Sequence, residues 1–153
     1  MDARHKILYV EDNDLFSRML VARLSPDFEI VCVESFEDAE TELKRGSFAG
    51  CLLDLNLPDT TGIATLKAFR KLSTIPVIVV SGIDDDQLYV KALLIGAKEF
   101  FGKEQLINNG DVGRLGRAIN RYFVRADEPT PFTEILTLCA SINQRVMAAA
   151  ILQ

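Results

Sequence analysis

The sequence predicts a doubly wound α/β domain, a five-stranded parallel sheet with helices on both faces, followed by one extra helix at the C-terminal end. Three observations predict it. Strand-like and helix-like segments alternate strictly over residues 1–125. The strands are nearly unbroken apolar runs, as parallel strands covered on both faces must be. Carboxylates, a hydroxyl and an ammonium follow the strand ends, where open α/β sheets bind their ligands.

In order along the chain, Lys6 to Val10 is an apolar run that ends at Glu11-Asp12. Leu15, Met19, Leu20 and Leu24 recur at helical spacing, with Asp14 placed as an N-cap. Ser25-Pro26-Asp27 breaks that helix, and Phe28 to Val33 forms the second strand. Phe36, Ala39 and Leu43 mark the second helix, closed by Gly46. Ala49 to Leu53 is a buried strand that stops at Asp54. A loop over Pro58 to Gly62 leads to a third helix carrying Ile63, Leu66, Phe69 and Leu72. Pro76 to Val80 is the fourth strand and ends at Ser81-Gly82. Asp84, Asp85 and Asp86 open the fourth helix, where acids suit the positive end of the helix dipole. Leu88, Ala92 and Ile95 lie on it and Gly96 closes it. Glu99 to Phe101 is a short fifth strand before Gly102-Lys103, and a fifth helix is expected over Val112 to Val124. Residues 126–131 read as a linker rich in Pro and acids. Beyond it, residues 132–153 place Phe132, Ile135, Cys139, Ile142, Val146 and Ala149 three or four apart, the stripe of an amphipathic helix.

Composition narrows the functional classes. The 153 residues carry 22 acids and 17 Lys plus Arg, so the net charge is 17 − 22 = −5. That balance argues against direct nucleic-acid binding, which depends on clustered cations. The longest apolar run, Val146 to Leu152, has seven residues, whereas a membrane helix needs about 20. No stretch near Met1 reads as a signal peptide, and a cytoplasmic address is expected. Cys32, Cys51 and Cys139 are unclustered and His5 is the single histidine, so a zinc site is not expected. The three thiols are expected to be buried or inert.

The residues after the strands are the candidate site: Glu11, Asp12, Asp54, Ser81 and Lys103. Carboxylates gathered on one rim repel each other unless a cation joins them, and hard oxygen ligands suit Mg²⁺. A carboxylate is also a nucleophile for phosphoryl transfer, giving an acyl phosphate. Lys103 and the ion would neutralise the transferring group, and Ser81 would hydrogen-bond one of its oxygens. Each residue alone has an ordinary reading as a surface charge, turn former or cap. The set at one rim does not.

The segments Ile7-Leu-Tyr-Val-Glu-Asp-Asn13, Leu52-Leu-Asp-Leu-Asn-Leu-Pro-Asp59, Val79-Val-Ser-Gly82 and Gly96-Ala-Lys-Glu-Phe-Phe-Gly-Lys103 together resemble the receiver domain of two-component response regulators, from about Lys6 to Val124. The resemblance implies a flavodoxin-like sheet of order 2-1-3-4-5, with residues 1–125 as the receiver. It implies Asp54 as phospho-acceptor and Mg²⁺ held by Glu11, Asp12, Asp54 and the backbone carbonyl of Asn56. It implies Ser81 as switch hydroxyl beside Gly82, Lys103 as phosphoryl-contacting lysine, and Phe100 as switch aromatic. Asn56 and Ile83 fall at the two positions that tune autodephosphorylation in the family. The implied partner is a histidine kinase or histidine phosphotransfer protein, and the implied output is a changed surface on the fourth helix, fifth strand and fifth helix. The implied protein is a signalling switch and not an enzyme.

Two departures stand out. Many family members have Pro after the lysine, often with a cis peptide, but Glu104 stands here and a trans bond is expected. Phe100 lacks the hydroxyl of a tyrosine. Two rivals remain at this point: a haloacid-dehalogenase-type phosphatase, whose second Asp would fall where Asn56 stands, and a phosphorylation-independent interaction module. The tail has three readings: a homodimerisation helix, the start of an output region in a longer regulator, or a helix packed back on the receiver.

Overall fold

A computed structural model describes residues 4–82, 85–108 and 110–125. The predicted linker, the C-terminal stripe, Ile83 and Cys139 lie outside the described residues. The elements are β1 (His5–Val10), α1 (Asp14–Leu24), β2 (Phe28–Val33), α2 (Phe36–Arg45), β3 (Gly50–Leu53), α3 (Ile63–Leu72), β4 (Val77–Ser81), α4 (Asp86–Ile95), β5 (Glu99–Gly102), α5 (Lys103–Asn108) and α6 (Val112–Ile119), with a π-helical turn over Asn120–Val124. The strands are all parallel and their order is β2-β1-β3-β4-β5. This is the doubly wound, flavodoxin-like sheet expected from the sequence. No described helix is long and apolar enough to cross a membrane.

The period-2 alternation of the strands builds two cores, one on each face of the sheet. Ile7, Tyr9, Leu52, Ile78, Val80 and Phe101 face α1 and α6, where Phe16, Leu20, Leu115 and Ile119 meet them. Leu8, Val10, Cys51, Leu53, Val77 and Val79 face the other way, onto Ala39 of α2, Leu66 and Phe69 of α3 and Ala92 of α4. Full burial of an aliphatic or phenyl side chain is worth about 1.5–3 kcal/mol, so the sheet is held from both sides.

Local sequence explains the helix ends, with some corrections. Asn13, not Asp14, caps α1: its side chain accepts the Phe16 N–H at 3.0 Å. The buried stripe of α1 is Phe16, Leu20 and Leu24, while Leu15, expected inside, is 82% exposed. Ser35 caps α2 and Asp85 caps α4. Gly96 ends α4 at φ 113°, a left-handed turn that a Cβ would strain. The expected fifth helix is α6, and the extra α5 precedes it, anchored by the buried Leu106. His5 begins β1 instead of preceding it. Cys51 is buried, and Cys32, on the edge strand β2, is exposed.

Candidate functional site

Parallel register assembles the site. Val10 of β1 pairs with Leu53 of β3, so Glu11 and Asp54, the next residues, leave the sheet side by side. Their backbone N–H groups are tied down, Glu11 donating to the Val33 carbonyl at 2.9 Å and Asp54 to the Val10 carbonyl at 3.0 Å. Ser81 of β4 pairs with Gly102 of β5, which delivers Lys103 to the same rim. The Lys103 ammonium lies 2.5 Å from Glu11 Oε1 and 3.0 Å from Asp54 Oδ2. Glu11, Asp12 and Asp54 each offer a carboxylate oxygen within 4.8 Å of the others, the one such grouping of potential metal ligands among the described residues. The strand register is the cause of this convergence.

Burial sets the electrostatics. Glu11 and Asp54 are each 1% exposed and Ser81 is fully buried, while Asp12 is open to solvent. Burial pushes the Glu11 carboxyl well above the usual range, the neighbouring Asp54 adds to the rise, and Lys103 opposes it. Burial alone would lower the Lys103 pKa, but Glu11 and Asp54 outweigh it, so the ammonium is held more firmly charged. With Glu11, Asp12 and Asp54 all ionised, three carboxylates and one ammonium sum to −3 + 1 = −2. That is the charge a divalent cation would cancel.

The remaining predicted residues take distinct places. Asn56 is exposed, and its backbone N–H donates to Asp54 Oδ1 at 3.1 Å. Asp54 is thus oriented from both oxygens, by Asn56 on one and Lys103 on the other. Phe100 is half-buried on β5 and meets Tyr89 of α4 edge-to-face, with ring centroids 5.6 Å apart. A cavity of about 430 Å³ beside them is lined in part by Ser81, Gly82, Tyr89, Phe100 and Lys103. No cis peptide occurs among the described residues, in keeping with Glu104 after Lys103.

Sequence reasoning missed three supports. Phe16 presents its ring 5.2 Å from the Lys103 ammonium, a cation–π contact. The Asn13 N–H donates to Glu11 Oε2 at 3.3 Å. Asp59 reaches back 23 and 22 residues to accept the Phe36 and Glu37 N–H groups, each at 3.0 Å, at the start of α2. The first two follow α1 capping and could have been sought from Asn13. The third joins loops distant in sequence and leaves no local signal.

Comparison with known proteins agrees with this geometry. Residues 7–109 match the family described as response regulator receiver domain. The transcriptional regulatory protein KdpE of Staphylococcus aureus is 29% identical over 99 residues, covering 64% of this chain and 43% of that protein. The swarming motility regulation protein RssB of Serratia marcescens is 36% identical over 99 residues, covering 63% of this chain and 45% of that protein. The chain therefore spans less than half the length of these curated relatives. Among solved structures, the signal receiver domain of a LuxO repressor-like protein from Vibrio parahaemolyticus superposes with a TM-score of 0.69 at 26% identity, covering 81% of this chain and 93% of that one. The acid cluster, the strand order and the match across β1 to α5 converge on one conclusion: this chain belongs to the response regulator receiver domain family of two-component systems.

Proposed function

We propose that this chain is a phosphorylation-dependent switch in which Asp54 accepts a phosphoryl group from a histidine kinase or histidine phosphotransfer protein, with Mg²⁺ as cofactor. The observation that carries the reading is the buried Asp54 held in one cluster with Glu11, Asp12 and Lys103. The donor set fits Mg²⁺: hard carboxylate oxygens gathered at one rim. Glu11, Asp12, Asp54 and the Asn56 carbonyl would hold the ion, which when bound offsets charge on the transferring phosphoryl group. A cytoplasmic address goes with this reading.

The chain's own residues do the rest. A carboxylate oxygen of Asp54 attacks phosphorus, and the P–N bond to the donor imidazole breaks. The electron pair stays on that nitrogen, which takes up a proton, and an acyl phosphate is left on Asp54. The Asn56 N–H holds the carboxylate in orientation before attack. Lys103 shifts from Asp54 Oδ2 to a phosphoryl oxygen, and the Ser81 Oγ donates to another. The exposed Leu15, three residues after Asp12 in the chain, offers an apolar foothold for the donor protein. Ser81 and Phe100 line one cavity, and on this reading the ring turns into it as the hydroxyl moves toward the phosphoryl group. The surface of α4, β5 and α6 then changes partner preference, a shift between two states biased by phosphorylation. Asn56 and Ile83 would set how long the acyl phosphate lasts.

Removing Mg²⁺ with a chelator is expected to abolish labelling of Asp54 by acetyl phosphate. Ser81→Ala is expected to keep labelling but lose the phosphorylation-induced change in amide exchange of α4 and β5. Labelling that persists in chelator would refute the cation's role, and an intact exchange response in Ser81→Ala would refute the coupling.

A further inference from the structure

Helix α4 carries apolar side chains on both sides. Ala92 is buried, with Leu88 and Ile95 packed against the core, yet Tyr89, Val90 and Leu94 on the other side are 44%, 52% and 80% exposed, among the exposed Asp86, Gln87 and Lys91. Apolar side chains gathered and exposed in this way mark an interaction surface. Asp86, Val90 and Leu94, four residues apart, form one outward line.

We propose that residues 132–153 of this same chain cover that line, as an amphipathic helix lying antiparallel to α4. Three arguments select this occupant. The first is position. The Phe123 ring packs against Gly50, the first residue of β3, so the chain leaves the fold at the amino edge of the sheet. Helix α4 ends at that same edge, just before β5. Residues 126–131 can bridge about 20 Å when extended. The second is concentration. A short tether holds a segment at an effective concentration of order millimolar, well above what a second copy reaches in dilute solution.

The third is charge. Glu134 and Arg145 are 145 − 134 = 11 residues apart, three turns and about 16 Å along one side of a helix. Their spacing matches α4, whose ten residues span about 15 Å. Asp85 and Asp86 stand at its start, Lys91 lies on it, and Lys98 stands just past its end. Antiparallel docking sets Arg145 against Asp85 and Asp86 and Glu134 near Lys91 and Lys98. The parallel alternative would oppose like charges. The same register brings Cys139, in the apolar stripe, opposite Val90. The tail thereby occupies the face that the proposed function assigns to a partner, and a partner must displace it. The contact itself needs no phosphorylation.

The test uses the full chain with Cys32→Ser, which leaves the buried Cys51 and Cys139 as its cysteines. Val90→Cys is added in one variant and Leu15→Cys, on α1, in another; both sites are exposed, so both variants are expected to fold. Oxidised glutathione takes up the two electrons and two protons as a protein disulfide forms. Val90→Cys is expected to form an intramolecular disulfide with Cys139 at least tenfold faster than Leu15→Cys. Arg145→Asp should slow it several-fold, and Asp86→Arg added to Arg145→Asp should restore part of the rate. Equal rates at positions 90 and 15, or no disulfide at either, would overturn the proposal. A disulfide that joins two chains would overturn it in favour of a second copy on α4.

Discussion

Lys103 holds two buried acids with a single ammonium. Replacing it by Met would leave Glu11 and Asp54 facing each other without a cation. Removing one partner of a buried charge pair typically costs about 3–5 kcal/mol. The Lys103 side chain keeps 17% exposure and Glu11 is already inclined to take up a proton, so the lower part of that range is expected. Urea unfolding of Lys103→Met in the absence of divalent cations measures it; an unchanged midpoint would mean that solvent already screens the acids. The ionic residues of the site were legible because each stands directly after a strand, and parallel register gathers strand ends. The Asn56 N–H was not, because it is a backbone group that no residue type announces. Leu15 misled for a related reason. It sits one position from Phe16, and spacing alone does not say which of two adjacent apolar residues turns inward.

At the scale of the element, Asp59 ties the loop after β3 to the start of α2. Burial pushes the Asp59 carboxyl up, but the N–H groups of Phe36 and Glu37, with its own backbone N–H, together outweigh that and hold it below the ordinary value. Its folded pKa is depressed, so its contribution is present above the unfolded pKa of about 3.9 and fades as pH falls through the folded value. Asp59→Ala is expected to cost about 0.5–1 kcal/mol at neutral pH, the low end for helix capping because Asp59 is exposed. The gap in thermal stability from wild type should close as the pH is lowered through that value; a gap independent of pH would assign the loss to something other than the charge. Gly50 is a second joint. A Cβ there would fall 2.3 Å from the Phe123 ring, so Gly50→Ala should destabilise by about 1–3 kcal/mol, the usual cost of overpacking. Adding Phe123→Leu should recover part of it in a double-mutant cycle; strictly additive losses would mean that the ring does not rest on Gly50. Neither joint was legible, since Asp59–Phe36 and Gly50–Phe123 join segments far apart in the chain. The split between α5 and α6 did have a signal in Asn108-Asn-Gly110, where Gly110 takes φ 67°.

For the whole molecule, alternation and apolar strands were enough to predict the doubly wound sheet, because covering both faces of parallel strands leaves few arrangements. The strand order came with the family resemblance, and the structure has it. What sequence could not supply is the exposed apolar line that α4 keeps at the side of the sheet. The central claim is that this fold exists to place one reactive carboxylate. Its most direct test is the intact mass of the protein after incubation with Mg²⁺ and acetyl phosphate, for wild type and for Asp54→Asn. A gain of one phosphoryl group in wild type and none in Asp54→Asn is the expected result. The same gain in Asp54→Asn, or no gain in wild type with Mg²⁺ bound, would contradict the account.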